Sequence, residues 1–166
     1  MNKLPYFVAI GASGAEGLSD IVSLLNLWPK EVNAVLIVVL HRSSEKPSSL
    51  IEVLLRQCRG MALDVAHAGQ RLVPGTTYIG PPDRPLTVLD DGSAYLIDGS
   101  RERLRNQTID VLFESIAANI GKRSVGIVLS GSLHDGSRGL AAIHHAGGLT
   151  FVGSRRQAVG NATKRN

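Results

Sequence analysis

Tyr6-Phe7-Val8-Ala9-Ile10-Gly11-Ala12-Ser13-Gly14 carries an apolar run straight into a serine flanked by glycine turns. A short, continuous apolar run of this kind reads as a strand covered on both faces, as in parallel sheets. Ala34–Leu40 and Val125–Leu129 have the same character. Helical spacing lies between and after these runs. Leu18–Leu27 shows it first and stops before Pro29. Pro47–Arg56 repeats it, with Leu50, Ile51, Leu54 and Leu55 on one face. Thr108–Ile120 does so through Ile109, Leu112, Phe113, Ile116 and Ala117. Gly139–His145 is a fourth helix, closed by Gly147-Gly148, and Thr150–Val152 starts another strand.

The middle of the chain breaks this alternation. Gly69–Asp98 carries Pro74-Gly75, Pro81-Pro82 and Asp91-Gly92, with the short extended runs Thr76–Ile79, Leu86–Leu89 and Ala94–Leu96 between them. Asp-Gly between two such runs signals a hairpin. The expected fold is therefore α/β: a doubly wound three-layer α/β/α arrangement with a mostly parallel sheet and an antiparallel hairpin insertion.

Bulk properties agree with one enzyme-sized domain. The chain has 166 residues, of which 43% are hydrophobic and 19% charged. The formal charge of +4 is carried by the end of the chain: without Arg155, Arg156, Lys164 and Arg165, basic and acidic groups balance at 14 each. A body of this kind is not a nucleic-acid surface, and residues 154–166 read as a basic, frayed tail. Cys58 is the single cysteine, so no intramolecular disulfide forms. The first apolar run is too short for a signal peptide or a membrane span, which makes the cytoplasm the expected compartment.

Open parallel sheets bind ligands beyond the carboxyl ends of their strands. The residues standing there are Gly11-Ala12-Ser13-Gly14, His41-Arg42, and Ser130-Gly131-Ser132-Leu133-His134-Asp135-Gly136. Singly, each candidate has a plain structural reading: Ser13 as a helix N-cap, His41 as a strand-end residue, Asp135 as a turn or cap. Together, a serine, a histidine and an aspartate at the ends of three different strands supply what acyl transfer needs if those strands are neighbours. Imidazole takes the proton of a weakly nucleophilic hydroxyl, and a carboxylate orients the imidazole. Backbone N–H groups at the helix start serve an oxyanion, while Gly11, Gly14 and Gly17 let the backbone bend and leave room for substrate. The expected catalytic residues are Ser13, His41 and Asp135.

At these residues the sequence resembles the methylesterase domain of the chemotaxis protein CheB. The likeness rests on Ile10-Gly11-Ala12-Ser13, on Val38-Val39-Leu40-His41, and on Leu129 to Gly136, which is similar to L-[ST]-G-x-x-x-D-G. It continues through Pro74–Leu86, Thr108–Ser115 and Gly139–Gly148, and runs in order over about residues 6–153. The resemblance implies hydrolysis of glutamate γ-methyl esters on chemoreceptors, an activity that some members accompany by glutamine deamidation. It implies methylated chemoreceptor tails as partners and no metal or organic cofactor. It also divides the chain into a methylesterase domain over 1–153 and the tail over 154–166. The regulatory receiver domain usual in the family is not expected, so an active chain would be either unregulated in cis or controlled by a separate receiver protein. No nucleic acid and no membrane insertion are expected.

Three features depart from the family pattern. Gly14-Ala15-Glu16-Gly17 follows the serine where the family has a small residue and then Gly-Gly. Ser132 and His134 precede Asp135, where Met or Ala is common three residues ahead of the aspartate. After Val152 a polar, basic run replaces the family's proline-containing loop and final helix, which would leave apolar sheet surface exposed. These departures favour, as one alternative, a catalytically impaired CheB-like binding protein. A second alternative is a dinucleotide-binding domain using Gly11, Gly14 and Gly17, with Arg42 toward a 2′-phosphate. It leaves Asp135-Gly136 and Tyr78–Leu86 unexplained. His67, His144 and His145 lack a cysteine cluster or carboxylates at ligand spacing, so a metal site is not expected. Arg101, Arg103 and Arg105 form a basic stretch suited to acidic receptor segments or simply to solvent.

Overall fold

The computed structural model describes residues 3–41, 50–98, 106–129 and 134–153. Strands β1 (Tyr6–Ser13), β2 (Ala34–His41), β3 (Ala62–Val65), β4 (Thr76–Ile79), β7 (Ser124–Val128) and β8 (Leu149–Val152) form one sheet in the order β3-β4-β2-β1-β7-β8. Every pairing in it is parallel. Strands β5 (Leu86–Val88) and β6 (Ala94–Leu96) make a separate antiparallel pair. The helices are α1 (Gly14–Leu27), α2 (Leu50–Gln57), α3 (Thr108–Ile120) and α4 (Ser137–His145), with a short 3₁₀ turn at Gly121–Arg123.

The doubly wound architecture follows from the period-two alternation of the central strands. Val8, Ile10 and Ala12 of β1 face the same side as Ala34, Leu36 and Val38 of β2, against Ile21 and Leu25 of α1 and Leu50 and Leu54 of α2. Phe7, Ala9, Val35, Ile37 and Val39 face the other side, against Ile109, Leu112, Phe113 and Ile116 of α3 and Ile143 of α4. Strands buried on both faces need apolar residues at every position, which is why their sequences do not alternate. Each fully buried Leu, Ile or Phe side chain stabilises such a core by about 1.5–3 kcal/mol. Cys58 closes the α1/α2 side, where burial pushes its thiol pKa up.

The hairpin packs on α3. Ser115 of α3 accepts the Val88 N–H at 3.0 Å, and Asn119 donates to the Val88 carbonyl at 2.7 Å. Its turn is longer than the two residues Asp91-Gly92. Gly92 donates to the Leu89 carbonyl and Leu89 to that of Ser93, both at 2.9 Å, the pattern of a three-residue loop with a bulge.

Two differences from the sequence reading concern the edges of elements. Strand β3 has no counterpart in the apolar runs, because it is a sheet edge with the polar Asp64 in its centre and no residue fully buried. Helix α1 starts at Gly14 rather than Leu18, since a single glycine with φ +70 turns the chain from strand to helix. The opposite sheet edge is more open than the rest. Leu149, Phe151 and Val152 of β8 are exposed and, with Leu24, Trp28 and Val125, border an apolar cavity of about 580 Å³. Residues 154–166 lie outside the described part of the chain.

Candidate active site

Ser13 is the last residue of β1 and His41 the last residue of β2, and the parallel ladder pairs them directly. Paired residues on neighbouring strands lie about 5 Å apart and point to the same face. Alternation along both strands puts that face on the side of α3, continuing Phe7-Ala9-Gly11 on β1 and Val35-Ile37-Val39 on β2. Both residues are half-buried. Ser13 holds the N-cap position of α1 in an extended conformation, and its side chain makes no capping hydrogen bond.

Asp135 reaches the same place from the far side of β1. Strand β7 pairs with β1, and Leu129 extends the ladder by donating to the Gly11 carbonyl at 2.9 Å. The chain returns at His134 and Asp135 and enters α4 through Gly136, whose φ of +112 excludes other residues without strain. Asp135 is only 6% exposed. Its Oδ2 accepts from His41 Nδ1 at 3.0 Å and from the Ile109 N–H at 3.0 Å, and its Oδ1 accepts from the Asp110 N–H at 2.8 Å. The Thr108 hydroxyl stands 3.5 Å from Oδ2.

Asp135 thus is a cap, though not of its own helix. It caps α3, whose own N-cap residue Gln107 makes no side-chain cap bond. The amides at a helix start lack intrahelical partners and suit a negatively charged oxygen. That arrangement uses the carboxylate on one side and leaves Oδ2 to hold the imidazole on the other. A carboxylate only accepts, so the neutral His41 ring carries its proton on Nδ1 and presents the Nε2 lone pair opposite. The His41 side chain is 26% exposed, so this nitrogen belongs to a partly open crevice.

Of the three glycines, Gly14 bends the chain as expected, while Gly11 and Gly17 play other parts. Gly11 lies inside β1, and a Cβ there would come within 2.5 Å of Ile109 Cγ2, so its missing side chain makes room for α3 rather than for substrate. The same filled space leaves no cradle for a pyrophosphate at Gly11. Gly17 is buried within α1, and of the three only Gly14 adopts a positive φ. Arg42, the stretch Arg101–Arg105, and Ser132 lie outside the described residues. His145 Nδ1 donates to the Ala141 carbonyl at 2.7 Å and is engaged within its own helix.

What sequence reasoning missed is the start of α3. Nothing in Thr108-Ile109-Asp110 marks it as the seat of a carboxylate 25 or more residues away. The available signal is negative: Gln107, a poor capping residue, precedes a strongly patterned helix, so its N–H groups need a partner from elsewhere.

Comparison with known proteins places this geometry in context. The profile of the CheB methylesterase family matches residues 8–163. Proteins named protein-glutamate methylesterase/protein-glutamine glutaminase are similar to the chain. The one from Yersinia pestis is 34% identical over 155 residues, covering 92% of this chain and 44% of that protein. The one from Salmonella typhimurium is 31% identical over 157 residues with the same coverage. The chain therefore spans less than half the length of these curated relatives. The crystal structure of the Thermotoga maritima CheB methylesterase catalytic domain superimposes with a TM-score of 0.75 at 23% identity, over 88% of this chain and 78% of that one. That likeness is one of fold.

Proposed function

Because the chain belongs to the CheB methylesterase family, we propose that it hydrolyses γ-methyl esters of glutamate on chemoreceptor tails through Ser13, His41 and Asp135. The observation that carries this reading is the 3.0 Å bond from His41 Nδ1 to Asp135, with Ser13 opposite His41 in the β1–β2 ladder.

The chemistry runs in two halves. His41 Nε2 takes the proton from Ser13 Oγ as the oxygen attacks the ester carbonyl, and Asp135 stabilises the imidazolium that forms. Backbone N–H groups at the start of α1 serve the tetrahedral oxyanion. Collapse expels methanol, which takes its proton from His41, and leaves an acyl-serine. Water, deprotonated by the same imidazole, then releases the glutamate carboxylate and restores Ser13. Attack on a glutamine side chain would expel ammonia by the same steps, which is the deamidase variant of the reaction.

Glu16, exposed in the first turn of α1, favours a second reading in which catalysis is impaired and binding of receptor tails is retained. A carboxylate beside the oxyanion donors opposes the charge that develops there. Both readings are tested by methanol release from methylated receptor by the purified protein. Turnover abolished by Ser13→Ala supports the esterase. Receptor binding without turnover supports the impaired form. Among the described residues no helix is long and apolar enough to cross a membrane.

A further inference from the structure

Helices α3 and α4 cap each other. Asp135, just ahead of α4, accepts the Ile109 and Asp110 amides at the start of α3. Asp110, in the first turn of α3, accepts the Gly139 amide in the first turn of α4 through Oδ1 at 2.7 Å. Neither helix has a side-chain cap of its own: Gln107 and Gly136 hold the N-cap positions without one. Asp110 is 1% exposed, and its Oδ2 receives Arg138 Nε at 3.4 Å. Arg138 also donates to Gln107 at 2.8 Å, from a side chain that is 57% exposed.

We propose that Asp110 is a positioning residue for the hydrolytic reaction, acting through Asp135 by locking the starts of α3 and α4 at one separation. This rests on the esterase reading of the site. A self-cap fixes one helix end and says nothing about its neighbour. A crossed pair of caps fixes the distance between two helix ends. Here that distance sets where the Asp135 carboxylate stands relative to His41, because Asp135 is bonded to α3 and covalently joined to α4. Gly139 belongs to the same device: the space of its missing side chain is occupied by Phe113 and the Asp110 backbone, so α4 approaches α3 closely enough for the short bond.

The test uses Asp110→Ala, Asp110→Asn, Asp110→Glu and Arg138→Ala, with two readouts: kcat and KM for methyl-ester hydrolysis, and the NMR resonance of the His41 Nδ1 proton. Misplacement by about 1 Å lowers rates by up to about 100-fold, so Asp110→Ala is expected to lower kcat at least about 10-fold with KM within about two-fold. The His41 ring proton resonance moves or disappears in the same variant. Asp110→Asn keeps an oxygen acceptor for Gly139 and restores both readouts, and Arg138→Ala leaves both near wild type. Should Asp110→Ala not fold, Asp110→Glu carries the test, since its extra methylene moves α4 off α3 and is expected to lower kcat and shift the resonance. The proposal is overturned if Asp110→Ala, or Asp110→Glu in its place, behaves as wild type, or if Asp110→Asn falls as far as Asp110→Ala. If the wild-type protein shows no esterase activity, the functional reading fails on its own and the His41 resonance still decides the role of Asp110.

Discussion

Gly11 and Ile109 share one space: a Cβ on the strand residue would stand 2.5 Å from Cγ2 of the helix residue. Ile109 is also the residue whose amide holds Asp135. The absence of a side chain in β1 therefore determines how close α3 brings its N-terminus to the strand ends.

Gly11→Ala should push Ile109 away and loosen the Asp135 site. Overpacking of a tight core costs about 1–3 kcal/mol, so urea denaturation should show a midpoint lowered accordingly. Ester hydrolysis should fall in the folded variant. Unchanged stability together with unchanged activity would mean that α3 tolerates displacement and does not position the site.

Asp135→Asn keeps the volume of the side chain and removes its charge. An amide nitrogen cannot accept from His41 Nδ1 or from the α3 amides, so one of these partners is lost or the ring adopts the wrong tautomer. By analogy with serine hydrolase triads, kcat should drop by about 10⁴-fold. Steady-state kinetics on a methyl-ester substrate measures this directly. A loss of less than about ten-fold would remove Asp135 from the mechanism.

The hairpin turn should respond to acid. Asp91 Oδ1 accepts the Ser93 hydroxyl at 2.6 Å and the Ser93 N–H at 2.9 Å. These bonds, the side-chain one foremost, hold the Asp91 carboxyl below its usual pKa. A folded-state pKa below the unfolded value means that its stabilisation is complete above the unfolded pKa and is lost as pH falls through the folded one. A pH titration followed at the Ser93 amide resonance should show a midpoint below that of an ordinary aspartate. Asp91→Asn should abolish the transition, and a midpoint at the ordinary value would refute the assignment.

Much of the fold was legible because apolar pattern is a local property. The three buried strands, α3 and the hairpin sit where the pattern placed them, since each needs a continuous or periodic apolar surface whatever its neighbours are. Strand β3 was not legible: Ala62–Val65 pairs only with β4 at an edge and gains its strand conformation from that neighbour. The site divides in the same way. Ser13, His41 and Asp135 could be picked out as candidates because sheet topology aligns strand ends. The Asp110–Gly139 bond could not, because an acid in the first turn of a helix already has an ordinary explanation in the helix dipole.

By itself the sequence determined the alternation of strands and helices, the hairpin, and the set of polar residues brought to one edge of the sheet. These follow from periodicity and turn chemistry, which act between residues a few positions apart. Only the tertiary structure decided that Asp135 seats on the start of α3, that Asp110 answers it on α4, and that Gly11 yields its space to Ile109. Each of these depends on how closely two separately formed elements approach. That separation is set by side-chain volume and by the need of buried N–H groups and carboxylates for partners.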